Sequence, residues 1–163
     1  GDALQTRMFH PQIGDVVDLA RAFPDLPIVL NHVGGPIGIG PYAGHRDEVF
    51  AAWSAAMRDL SACSNVYAKL GGLGSKRAGF GWHERAEPPT SQELADAWRP
   101  YVETCIEAFG TDRCMFESNF PVDKASCTYA ALWNAFKRLS SGASPAEKAA
   151  LFRDTAERFY RVG

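Results

Sequence analysis

Short apolar runs alternate with longer segments of helical periodicity along almost the whole chain. Parallel strands need a long crossover, usually a helix, so this alternation constrains the fold to βα units around a parallel sheet. The first strand candidate, Thr6–His10, is the weakest and is closed by Pro11. A helix over about Ile13–Phe23 follows, with Val16, Leu19, Ala20 and Phe23 on one stripe and Pro24 as its stop. The run Ile28–Asn31 is apolar up to its last residue, as expected of a strand covered on both faces. Arg46–Cys63 places Val49, Phe50, Trp53, Met57 and Leu60 on one helical stripe, and the strand candidate Asn65–Leu70 leads into Gly71-Gly72.

From there to Pro89 lies a long irregular segment containing Trp82, His83, Glu84 and Arg85, whose aromatic content favours an ordered lid over a linker. Thr90 and Glu93 have capping-box spacing for a helix that runs to about Phe109 and ends at Gly110. A strand over Arg113–Ser118 and a helix over about Ala125–Leu139 come next. Ser144-Pro145-Ala146-Glu147 then opens a last helix reaching about Tyr160.

Four such strands with their helices make half of an eight-stranded barrel, which usually needs about 250 residues, whereas this chain has 163. Three arrangements answer to that count: the carboxyl-terminal part of a longer protein, two copies completing each other, or a small open α/β sheet. Open strand edges predict self-association, so a homo-oligomer is one expectation.

The formal charge of -2, with scattered Lys and Arg, provides no basic surface for nucleic acid. No run approaches the ~18 apolar residues of a membrane span. Cys63, Cys105, Cys114 and Cys127 fall at wide spacings without a CxxC pair, which reads as buried free thiols in a reducing compartment and so as a cytoplasmic protein.

Chemistry is expected where apolar strands end in polar residues, because α/β enzymes present their sites at the carboxyl edge of the sheet. His32 ends one strand just before Gly34-Gly35, where it can ligate a divalent metal or donate to a carbonyl oxygen that becomes anionic. Glu117 and Asn119 alternate with Ser118 at the end of another. Glu117 or Asp123 can take a proton, whereas the amide of Asn119 can only hold an oxygen. Asp123 is equally readable as the N-cap of the next helix. Lys69, inside an apolar strand, needs a carboxylate partner such as Glu117 or a substrate carboxylate. His10, Trp82, His83 and Ser118 complete the substrate-binding candidates, with His83 also readable as a solvated surface residue.

Taken together, Phe9-His10-Pro11-Gln12, Leu19–Pro24, Ile28–Pro36, Tyr67–Leu73 and Cys114–Asp123 resemble the amidohydrolase-related family. The likeness is to its branch of TIM-barrel hydrolases similar to sugar-lactone and pyrone-dicarboxylate lactonases. It covers only the family's carboxyl-terminal half.

The resemblance implies a partial (β/α)8 TIM-like barrel, a single domain over 1–163 that is incomplete at its amino terminus, and a hydrolytic site at the strand ends. His32 matches a family histidine that binds metal in some members and polarises the substrate carbonyl in metal-free lactonases. The family's His-x-His is absent here, so a divalent metal such as Zn or Mn is expected only of a full-length relative. Asn119 stands where the family usually carries its catalytic Asp, which leaves Glu117 as a substitute. The expected activity is hydrolysis of a lactone or related carbonyl compound. In it His32 polarises the carbonyl, Glu117 or Asp123 activates water, and Lys69 and Asn119 orient a small, anionic substrate. The rivals are a metal-dependent amidohydrolase or decarboxylase and a non-catalytic half-barrel that binds a partner.

Overall fold

In the computed structural model, which describes residues 3–162, four parallel strands form one sheet in the order β1-β2-β3-β4. The strands are β1 Leu4–Thr6, β2 Ile28–Leu30, β3 Val66–Leu70 and β4 Cys114–Phe116. Between them run α1 Ile13–Ala22, α2 Arg46–Ser61 and α3 Ser91–Phe109. After β4 come α4 Tyr129–Leu139 and a terminal helix made of α5 Pro145–Ala149, a π-helical turn Ala150–Asp154 and α6 Thr155–Tyr160. The half-barrel expectation therefore holds: every neighbouring pair is parallel and joined by a helical crossover.

Side-chain alternation divides the sheet into two faces. Ile28, Leu30, Val66, Ala68, Leu70, Cys114 and Phe116 pack with Trp53, Met57, Leu94, Trp98 and Phe136 of the helices in one large core. On the opposite face Val29 and Met115 meet Phe159 of α6, with Tyr67 packed beside them. The terminal helix thus lies against the face that a closed barrel turns inward. Tyr160 donates from its hydroxyl to Gln5 Oε1 at 3.0 Å, reaching across to the first strand.

The expected strand bounds shift. Residues 4–6 pair with residues 28–30, so the first strand ends at Thr6 and does not occupy Thr6–His10. Beyond Leu30 the second strand loses extended geometry, because His32 and Val33 have φ of 57° and 47°. With no partner backbone to pair with, Arg7–Phe9 become loop and His10 opens a short 3₁₀ turn with Pro11. The last strand ends at Phe116; Glu117 N still donates to Leu70 O at 3.2 Å, and Glu117–Asn119 lead out of the sheet into the loop. The helix expected from Ala125 starts at Tyr129, where the Thr128 hydroxyl accepts from Ala131 N at 3.1 Å; residues 122–125 form a 3₁₀ turn.

The segment between Gly71 and Pro89 is tied down as an ordered cover. Arg46 donates to Gly79 O at 2.9 Å and lies over the Phe80 ring, which stacks on Trp82 with centroids 4.6 Å apart. Among the described residues, no helix is long and apolar enough to cross a membrane.

Candidate active site

Two strand ends build the site, and both are bent by left-handed backbone at residues other than glycine. Such a conformation costs about 1–2 kcal/mol per residue and persists only where contacts enforce it. At the end of β2, Val33 is held by Trp53, whose indole N–H donates to Val33 O at 2.6 Å. His32 is held by Glu117: its backbone N–H donates to Glu117 Oε1 at 2.9 Å. At the end of β4, Asn119 has φ 51°, with a cis Phe120-Pro121 bond next to it.

Glu117 makes a second and shorter contact with the same histidine, Nδ1 to Oε1 at 2.5 Å. A carboxylate only accepts, so Nδ1 carries a proton, and in the neutral form of the ring the lone pair is then on Nε2. Nε2 has no hydrogen-bond partner among the described residues, and His32 lines a small, partly enclosed hollow together with Arg7, Gly72, Ser75, Arg77 and Asn119. The other carboxylate oxygen of Glu117 lies 3.8 Å from Lys69 Nζ, with both side chains about 15% exposed. Lys69 also donates to Gln5 Oε1 at 3.3 Å. The partner that Lys69 requires is therefore Glu117, and its ammonium is committed inside the network and not presented to the hollow. Gly72 packs flat on the histidine: a Cβ added there falls 2.6 Å from His32 Cβ.

A second cluster lies beside the first. Asn119 Nδ2 donates to Asp123 Oδ1 at 2.7 Å, and Gly74 N donates to Asp123 Oδ2 at 3.1 Å. Asp123 is completely buried. Burial pushes its carboxyl up to about 6, against the two N–H donors and His32, which favour the anion, and with Glu117, which disfavours it. Two expectations for Asp123 are corrected here. A residue sealed from solvent cannot take a proton from substrate water, and its side chain caps no helix. It ties the loop after β3 to the loop after β4.

The remaining candidates separate. His10 is buried, accepts from Ile37 N at 3.3 Å and stands edge-on to Tyr42, a structural placement in which burial lowers its basicity. Ser118 Oγ accepts from Phe120 N at 3.3 Å and shapes the turn. Trp82 and His83 line a different cavity, with Phe120 and Tyr129. All four cysteines are free and buried, as expected.

Sequence reasoning missed Arg7 and Arg77. Arg7 was legible in principle, since it follows β1 directly just as His32 follows β2 by two residues, but the misplaced strand hid it. Arg77 lies on the irregular cover and carries no comparable signal.

Among the described residues no group of three or more His, Cys, Asp or Glu side chains is placed to hold a metal ion. His32 offers Nε2 alone, Glu117 is engaged by His32 and Lys69, and Asp123 is sealed. These donors do not by themselves fit a zinc centre, which takes at least three protein ligands.

The amidohydrolase family model matches residues 2–162. An uncharacterized protein, y4mH, of Sinorhizobium fredii is 43% identical over 99% of this chain and 48% of its own length. An L-fucono-1,5-lactonase of Burkholderia ambifaria is 30% identical over 99% of this chain and 49% of its own. A crystal structure of an amidohydrolase from Burkholderia multivorans with bound zinc superposes with a TM-score of 0.83 at 27% identity, covering 99% of this chain and 53% of that one. The chain thus spans about half the length of the curated relatives it matches. With the family model running from end to end over a half-barrel whose strand ends converge on one hollow, the chain belongs to the amidohydrolase family.

Proposed function

We propose that the protein carrying this chain hydrolyses a small cyclic ester at the hollow above His32. The observation that carries the reading is the bond between His32 Nδ1 and Glu117, which fixes the tautomer and leaves Nε2 as a base. The lactonase named among the relatives supplies the substrate class. Roles then differ from those expected of the sequence, where His32 polarises the carbonyl and Glu117 or Asp123 is the base. Here His32 Nε2 takes a proton from water as the water oxygen bonds to the ester carbonyl carbon. Glu117 stabilises the imidazolium so formed. The ring C–O bond then breaks, the proton passes from Nε2 to the leaving oxygen, and the product is an open-chain hydroxy acid. Arg7 and Arg77 make the hollow positive, which suits an anionic substrate and the product carboxylate.

In the full-length protein, His32→Ala is expected to lower kcat for lactone hydrolysis by about 10²–10⁴ with an unchanged circular dichroism spectrum. Unaltered turnover in a folded variant sinks the assignment. A second reading, metal-dependent hydrolysis, is favoured by the zinc bound in the Burkholderia multivorans structure. It needs ligands from outside this chain's described residues, and metal analysis with chelator sensitivity separates it from the first.

A further inference from the structure

The buried carboxylate of Asp123 is not used by the chemistry above, yet it is bonded to a residue that lines the hollow with His32. Asn119 carries an amide, which presents either a carbonyl oxygen or an NH₂ group depending on a 180° flip. An ionised carboxylate accepts and does not donate, so at 2.7 Å from Asp123 Oδ1 only the NH₂ side of Asn119 fits. The other oxygen of Asp123 is engaged by Gly74 N, which keeps the carboxylate from rotating away. The amide of Asn119 makes no other side-chain hydrogen bond among the described residues.

The geometry points to Asp123 as a positioning residue that locks the Asn119 amide so that its carbonyl oxygen faces the hollow as a fixed acceptor for the attacking water. This rests on the hydrolytic reading above and adds to it a division of labour. Asn119 Oδ1 accepts one O–H of the water and aims the molecule. It has no useful basicity, so the proton of the other O–H goes to His32 Nε2. Orientation and proton transfer, which a single carboxylate at position 119 can combine, are divided between two side chains.

The test changes one partner. In Asp123→Asn the Gly74 N–H keeps an oxygen acceptor, while the new NH₂ faces Asn119 and forces its amide to flip, turning a donor toward the hollow. With L-fucono-1,5-lactone as probe, kcat is expected to fall about ten- to a hundredfold with KM within about twofold. Parental kcat in the folded single variant overturns the inference.

A second readout needs no turnover. In the parent, the Asn119 side-chain NH₂ is expected to exchange with solvent at least tenfold more slowly than in Asp123→Asn by nuclear magnetic resonance; equal rates overturn the inference. If that difference is found in a protein that hydrolyses no lactone, the positioning stands and the assigned reaction falls.

Discussion

Asp123 makes the stability of this protein depend on pH in the direction opposite to that of a salt-bridged carboxylate. Its carboxyl titrates near 6 in the fold and near its ordinary 3.8 when the chain is unfolded. Between those values the folded state holds a proton that the unfolded state has released, so stability falls as pH rises. The favourable contribution is complete below the unfolded value and is lost as pH climbs through the folded one. The span between 3.8 and about 6 corresponds to about 3 kcal/mol between pH 3 and pH 7. Asp123→Asn keeps the shape and both neighbours but removes the titration. Urea unfolding of parent and variant at pH 4, 5, 6 and 7 cancels the other carboxylates, which titrate alike in both. The variant is expected to gain about 2.4 kcal/mol on the parent across that range. A difference that stays flat refutes the argument that desolvation dominates at this site. If it holds, Asp123→Asn gains stability relative to the parent as pH rises to neutrality while turning over more slowly, the pattern of a group kept at a cost in stability.

Two further outcomes follow from the His32 network. Glu117→Gln keeps an oxygen for the histidine but loses the charge that stabilises the imidazolium. Its kcat is expected to fall by about 10²–10⁴, and with Lys69 left unpaired, urea unfolding is expected to show a loss of about 1–3 kcal/mol; parental kcat removes Glu117 from the catalytic pair. Gly72→Ala combines a positive φ of 73° with a Cβ 2.6 Å from His32 Cβ. It is expected to lower both the melting temperature and lactone turnover, and a fully active, equally stable variant means the loop does not press on the histidine.

Much of the fold was legible because it rests on periodicity. The alternation of strand and helix determines a parallel order, and the capping signals at Thr90 and Ser144 both appear as side-chain caps in the structure. Strand ends were misjudged because pairing depends on a partner. Met8 and Phe9 look strand-like in sequence, but β2 has already turned away opposite them. At the site, the placement of His32 and Glu117 at two strand ends was readable, whereas the placement of Asp123 was not. Its meaning depends on Gly74 N, 49 residues earlier in the chain, and on a flip state of Asn119 that no local pattern encodes. The need of Lys69 for a carboxylate was readable from its apolar surroundings alone.

The bends at the strand ends explain why these polar residues do two things at once. Of the non-glycine residues with positive φ, His32, Val33 and Asn119 stand at the two converging tips. Glycine suits such backbone better, but glycine offers no imidazole and no amide. The strain is therefore held by bonds from elsewhere: Glu117 to the His32 backbone, Trp53 to Val33 O, and Asp123 to the Asn119 side chain. Glu117 holds the bent backbone with the same oxygen that fixes the ring tautomer. Backbone geometry and ring tautomer at His32 are consequently coupled through one atom, and a change that relaxes the turn also frees the ring.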